Sequence, residues 1–154
     1  MNPNDVFRGT LYLHGRDIPG TAGGFTMNQT PAPSQTLSLN LLSAPKWFSE
    51  PLLNGTFGAG ATFKVVVTRT AGLSLATTYR LAATNPDGTG EQLLGQISRL
   101  LGGGTQIITI PVTTPLTLNN RRLKLTISSA VGLSVNLQMG NSAYLEATQF
   151  VSRP

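Results

Sequence analysis

The chain has 154 residues, enough for one domain with a real core and short for two, and only 11% of them are charged against a usual ~25%. Its net charge of +5 arises from having just six acids, and the basic residues are scattered apart from Arg121, Arg122 and Lys124. With no stripe of basic and aromatic residues, this argues against nucleic-acid binding, and the absence of cysteine excludes disulfides and thiolate metal sites.

No apolar run approaches the ~20 residues of a membrane helix, so no membrane partner is expected. Met1–Asp5 lacks the basic and apolar regions of a secretory leader. Thr, Ser, Asn, Gln and Gly carry the surface in place of charge, which suits contact with protein or with sugar.

In chain order, residues 1–36 read as an extended N-terminal arm. Pro3, Pro19, Pro31 and Pro33 interrupt it, and Asp17–Gly24 shows neither a helical nor a strand period. Val6–Leu13 holds one short strand. Phe7, Leu11, Tyr12, Ile18, Phe25 and Met27 are spaced along the arm. They are expected to contact a neighbouring subunit, the alternative being that the arm wraps its own body.

Strand signals begin with Thr36–Leu41, where leucines alternate with polar residues. Lys46–Phe57 is broken into short pieces by Pro51 and Gly55. Ala61–Thr70 is the clearest strand, filled with β-branched and aromatic residues and bounded by Gly60 and Gly72. Ala76–Ala83 follows, then an Asn85-Pro86-Asp87-Gly88 turn, in which Pro presets φ and Asp-Gly supplies positive φ.

Glu91–Leu101 has apolar residues at helical spacing, but Gly95 sits in its middle; it reads as a strand ending in a Gly102–Gly104 hairpin loop. Gln106–Ile110 is a strand that Pro111 and Pro115 push towards an edge. Asn119–Asn120 turns the chain into Arg121–Ile127; Leu133–Met139 and Tyr144–Val151 complete the series. Roughly eight or nine short strands with one apolar face each predict an all-β antiparallel sandwich or barrel.

No residue cluster declares a chemistry. His14 lies in the arm, a poor mount for a base that must be held against a nucleophile. Asn85, Asp87 and Glu91 offer calcium-type oxygens in one loop, but an Asp-Gly turn accounts for them. No catalytic residue, metal site or cofactor is therefore expected. Trp47 and Phe48 are candidates for an exposed platform on which a sugar stacks, with burial in the core as the alternative.

Trp47-Phe48-Ser49-Glu50-Pro51-Leu52, Phe63–Val67, Tyr79-Arg80-Leu81 with Asn85–Gly88, and Leu118–Leu125 together resemble the cadence of jelly-roll sandwiches. An arm followed by such a body is similar to the jelly-roll capsid decoration (cement, auxiliary head) proteins of tailed bacteriophages. The resemblance implies an arm over residues 1–36, a jelly roll over 37–154, and a homotrimer on the outer capsid surface of a virion. It further implies a non-enzymatic subunit that clamps the major capsid protein through its arm. A carbohydrate-binding or receptor-binding module is the alternative.

Overall fold

The computed structural model describes residues 10–18, 24–50, 53–58, 60–70, 74–132 and 134–147. They form twelve strands: β1 (Thr10–Asp17), β2 (Phe25–Asn28), β3 (Gln35–Asn40), β4 (Lys46–Ser49), β5 (Leu53–Phe57), β6 (Thr62–Arg69), β7 (Leu75–Thr84), β8 (Gln92–Leu101), β9 (Gly104–Pro111), β10 (Leu116–Ser128), β11 (Ser134–Met139) and β12 (Tyr144–Ala147). Among the described residues the only helical pieces are single 3-10 turns at Leu41–Ser43 and Gly140–Ser142.

The strand rich in β-branched residues is central, as its composition predicts. β6 pairs with β9 along its whole length on one edge and with β12 and, at its end Arg69, with β11 on the other. Val65 and Val67 point into the core, while Lys64 and Thr68 face outward. β10 is the second junction, pairing with β7, β4 and β5.

One hydrogen-bonded path, β6-β12-β1-β2-β4-β10-β7-β8, folds over into two layers around a single cluster. Leu11, Val65, Leu137 and Leu145 from one layer meet Trp47, Tyr79, Leu81 and Leu123 from the other. The ends of the path close on each other. Thr113 and Thr114 N–H both donate to Leu94 O, at 2.9 and 3.2 Å. Gly95 lies so close beneath Pro111 that a Cβ there would sit 2.0 Å from its carbonyl oxygen.

The all-β expectation holds, and Glu91–Leu101 is a strand: Gly95 and the long β7 ladder outweigh its helical spacing. Several finer expectations need correction. The described part of the arm does not stand apart, because β1 lies between β12 and β2, and β2 pairs with β4. Leu11, Leu13 and Met27 alternate with polar residues and are fully buried. A sheet that must cover its core recruits such strands whatever proline and glycine lie between them. The β2–β4 pair is parallel, so the sheet is mixed and not wholly antiparallel.

Gly102–Gly103 is no hairpin loop; it carries the chain from β8, paired with β7, across to β9, paired with β6. Asn119–Asn120 is no turn either. It is a bulge inside β10, with Asn120 at φ 52° and the β5 register shifting between Leu118 and Arg121.

Candidate functional site

Directly opposed antiparallel residues carry their side chains on the same face of a sheet. The register therefore assembles one outward row across five strands: Ile107 on β9, Val66 on β6, Tyr144 on β12, Tyr12 on β1 and Asn28 on β2. A second row runs beside it: Thr109, Lys64, Glu146 and Thr10. On the other side lie Thr105 and Thr68, whose hydroxyls meet at 2.9 Å.

The middle of the row is aromatic. Tyr12 and Tyr144, both half-buried, have ring centroids 5.9 Å apart at an interplanar angle of 61°, an edge-to-face pair. Val66 beside them is only 5% exposed yet belongs to no part of the core cluster, so its neighbours on the outer face cover it. At the β9 end Ile107 is 66% exposed. It also borders a shallow depression of about 650 Å³ lined by Ser98, Arg99, Leu100 and Gln106.

The β2 end is polar and fixed. Asn28 Nδ2 donates to Glu50 Oε1 at 2.7 Å, so its amide oxygen is the acceptor for His14 Nε2 at 2.8 Å and for Thr30 N–H at 3.0 Å. This assigns the ring proton of His14 to Nε2. Arg16 closes the set on Glu50 at 3.1 Å. The Asn28 hydrogen bond, helped by Arg16 and His14 against the cost of burial, holds the Glu50 carboxyl below its ordinary value. Lys64 and Glu146 pair at 3.7 Å on the neighbouring row. Among the described residues no cluster of three His, Asp or Glu side chains has metal-binding geometry.

The platform expected at Trp47 and Phe48 does not exist, because β4 is an interior strand between β2 and β10 and both its faces are covered. Trp47 is fully buried, its indole N–H donating to His14 O at 3.1 Å and its ring 5.4 Å from Phe25. Phe48 faces the other way at 2% exposure, with Lys124 Nζ 5.8 Å above its ring. Of the expected arm contacts, Leu11, Ile18 and Met27 are buried in their own body and Phe25 packs against the core. The three buried side chains are not available to a neighbour, and Phe25 is partly buried. Phe7 lies outside the described residues. Tyr12 alone lies on the row described above.

The basic cluster is consumed internally. Arg122 binds the carbonyls of Ser49, Glu50 and Pro86, each at 2.7 Å, and Arg121 binds Gly90 O at 2.7 Å and Gln92 Oε1 at 2.8 Å. Lys124 pairs with Glu91 at 2.6 Å. These contacts pin the turn that Asp87 makes by accepting from Thr89 N–H and Oγ1 at 3.0 and 2.6 Å. Sequence reasoning missed Tyr144, Asn28 and the strand setting of His14. The alternation of Tyr144 and Glu146 was visible, but their partners on β1 and β6 were not.

No protein-family model and no curated protein matches the chain. Solved structures do. A CocE/NonD family hydrolase from Staphylococcus aureus matches with a TM-score of 0.61 at 8% identity, over 96% of this chain and 37% of that one. An α-amino acid ester hydrolase matches at 0.56 and 10% identity, over 90% of this chain and 35% of that one. A glycoside hydrolase family 43 arabinoxylan arabinofuranohydrolase from Bacillus subtilis, in complex with cellotetraose, matches at 0.50 and 17% identity, over 82% of this chain and 24% of that one. The chain thus spans about a third or less of these hydrolases. At such identities the likeness shows a shared fold alone.

Proposed function

We propose that the chain is a non-enzymatic β-sandwich binding module that holds carbohydrate on the outer face of β9, β6, β12, β1 and β2. The half-exposed Tyr12–Tyr144 pair, flanked by the fixed His14–Asn28–Glu50–Arg16 set, supports this reading. A pyranose presents an apolar C–H face and a rim of hydroxyls. Tyrosine rings supply a rigid apolar surface at low entropic cost, and a few placed polar groups supply orientation. Glycan-array binding that is lost in both Tyr12→Ala and Tyr144→Ala, with far-ultraviolet circular dichroism unchanged, is the expected result. An array on which the native chain binds no glycan overturns the proposal.

A second reading is favoured by Leu100, 64% exposed, and Ile107 beside Arg99 at the end of the folded sheet. An apolar strand edge on a charge-poor surface suits protein assembly, here a trimeric capsid decoration subunit seated on the major capsid protein of a virion. Since β1 and β2 are built into the body, attachment in this reading runs through the β8–β9 end. Light scattering that finds a trimer, dissociated by Leu100→Ser with Ile107→Ser, is the outcome it requires; a monomer at all concentrations contradicts it.

A further inference from the structure

We infer that the outer face takes an extended, ribbon-like oligosaccharide laid across the strands, and not a single sugar or a chain end; this rests on the carbohydrate reading above. The row from Ile107 through Val66, Tyr144 and Tyr12 to Asn28 crosses five strands. Four interstrand steps of ~4.8 Å make it about 19 Å long, several times the width of one pyranose ring.

Its chemistry changes along that length. Ile107 forms an exposed aliphatic end, the two tyrosines beside the buried Val66 an aromatic middle, and Asn28 with His14 and Arg16 a polar end. A single sugar over the tyrosines would leave Ile107 uncovered at one end and the Asn28 set unengaged at the other.

Hydroxyl-binding groups flank the row. Thr109, Lys64, Glu146 and Thr10 run along one side, and Thr68 with Thr105 lies on the other. Same-face residues two apart in a strand are separated by about 7 Å, which places these groups where the edge hydroxyls of a flat chain project. A straight cross-strand row fits a flat β-1,4-linked ribbon better than a chain that coils, as α-1,4-linked glucans do.

The test is calorimetric titration of the full chain with cello-, xylo- and malto-oligosaccharides, each from monosaccharide to hexasaccharide. The expected result is affinity for a β-linked series that climbs by about tenfold or more between disaccharide and tetrasaccharide and then levels. Ile107→Ser is expected to remove most of that climb, and Tyr12→Ala to weaken every length. Affinity that is flat from the monosaccharide onward, an unchanged climb in Ile107→Ser, or preference for the malto series overturns this inference while leaving the carbohydrate reading in place. Binding of no saccharide at any length overturns both.

Discussion

Replacing Tyr79 by phenylalanine should make the protein more stable. Tyr79 lies on β7 in the middle of the core with no exposed surface, and its hydroxyl has no hydrogen-bond partner among the described residues. A buried hydroxyl left unpaired costs about 1–3 kcal/mol. Tyr79→Phe removes that oxygen and keeps the ring in the core cluster, opposite Ile127 on β10. A gain of about 1 kcal/mol raises the melting temperature of a chain of this size by about 2–4 °C.

The effect also has a pH signature. Burial pushes the Tyr79 hydroxyl up to about 12 from an ordinary 10.0. An acid whose folded pKa is raised contributes stability that is intact below the unfolded value and lost as pH rises through the folded one. The native chain therefore gives up stability between pH 10.0 and about 12 that the variant keeps. Thermal unfolding followed by circular dichroism at neutral and alkaline pH reads both effects. A fall in melting temperature of several degrees in Tyr79→Phe would show that the hydroxyl is bonded in place and would refute the reasoning.

Three further predictions follow from packing and charge. Gly95→Ala drives a Cβ to 2.0 Å from Pro111 O where the sheet closes. It should cost about 1–3 kcal/mol by overpacking, read as a lower urea midpoint. Gly140→Ala meets both a φ of +85° and the Pro33 carbonyl oxygen at 2.5 Å, and should lower the melting temperature; an unchanged value would show that the Pro33 segment yields freely. Burial works to raise the Glu91 carboxyl, but Lys124 at 2.6 Å and Arg80 at 2.7 Å hold it below its ordinary 4.5. Stability from this group is present above pH 4.5 and lost as pH falls through the lower folded value. Glu91→Gln should flatten that acid loss in urea melts, and an unaltered profile would sink the assignment.

Much of the body was legible because local pattern and tertiary role agree there. Thr36–Leu41, Ala61–Thr70 and the alternation ending at Met139 all became strands near their expected bounds. The first 36 residues misled for a physical reason. β1 and β2 are short, and their pairing partners β12 and β4 lie far away in sequence, so proline and glycine between them looked like detachment. Trp47 and Phe48 failed as a platform because adjacent residues of a strand point to opposite faces, and β4 is covered on both.

The candidate site shows the same limit from the other side. Tyr12 was singled out, but as part of an arm, whereas it lies on β1 within the sheet. The groups that give it a setting from other strands, Tyr144, Asn28 and Glu50, become neighbours only through strand pairing. No motif spacing encodes that, since it depends on which distant strands pair. Arg121, Arg122 and Lys124 stood out in the sequence only as a cluster of charge, because the carbonyls and the carboxylate that occupy them lie roughly 30 to 75 residues away in sequence.

The most direct test of the binding face is amide chemical-shift mapping during titration with a β-linked oligosaccharide. The account predicts shifts that saturate together and cluster at Tyr12, Asn28, Val66, Ile107 and Tyr144, on five strands joined only by register. Shifts confined to the turn at Asn85–Glu91, or to the β8 edge at Gln96–Leu100, would place the ligand elsewhere and contradict it.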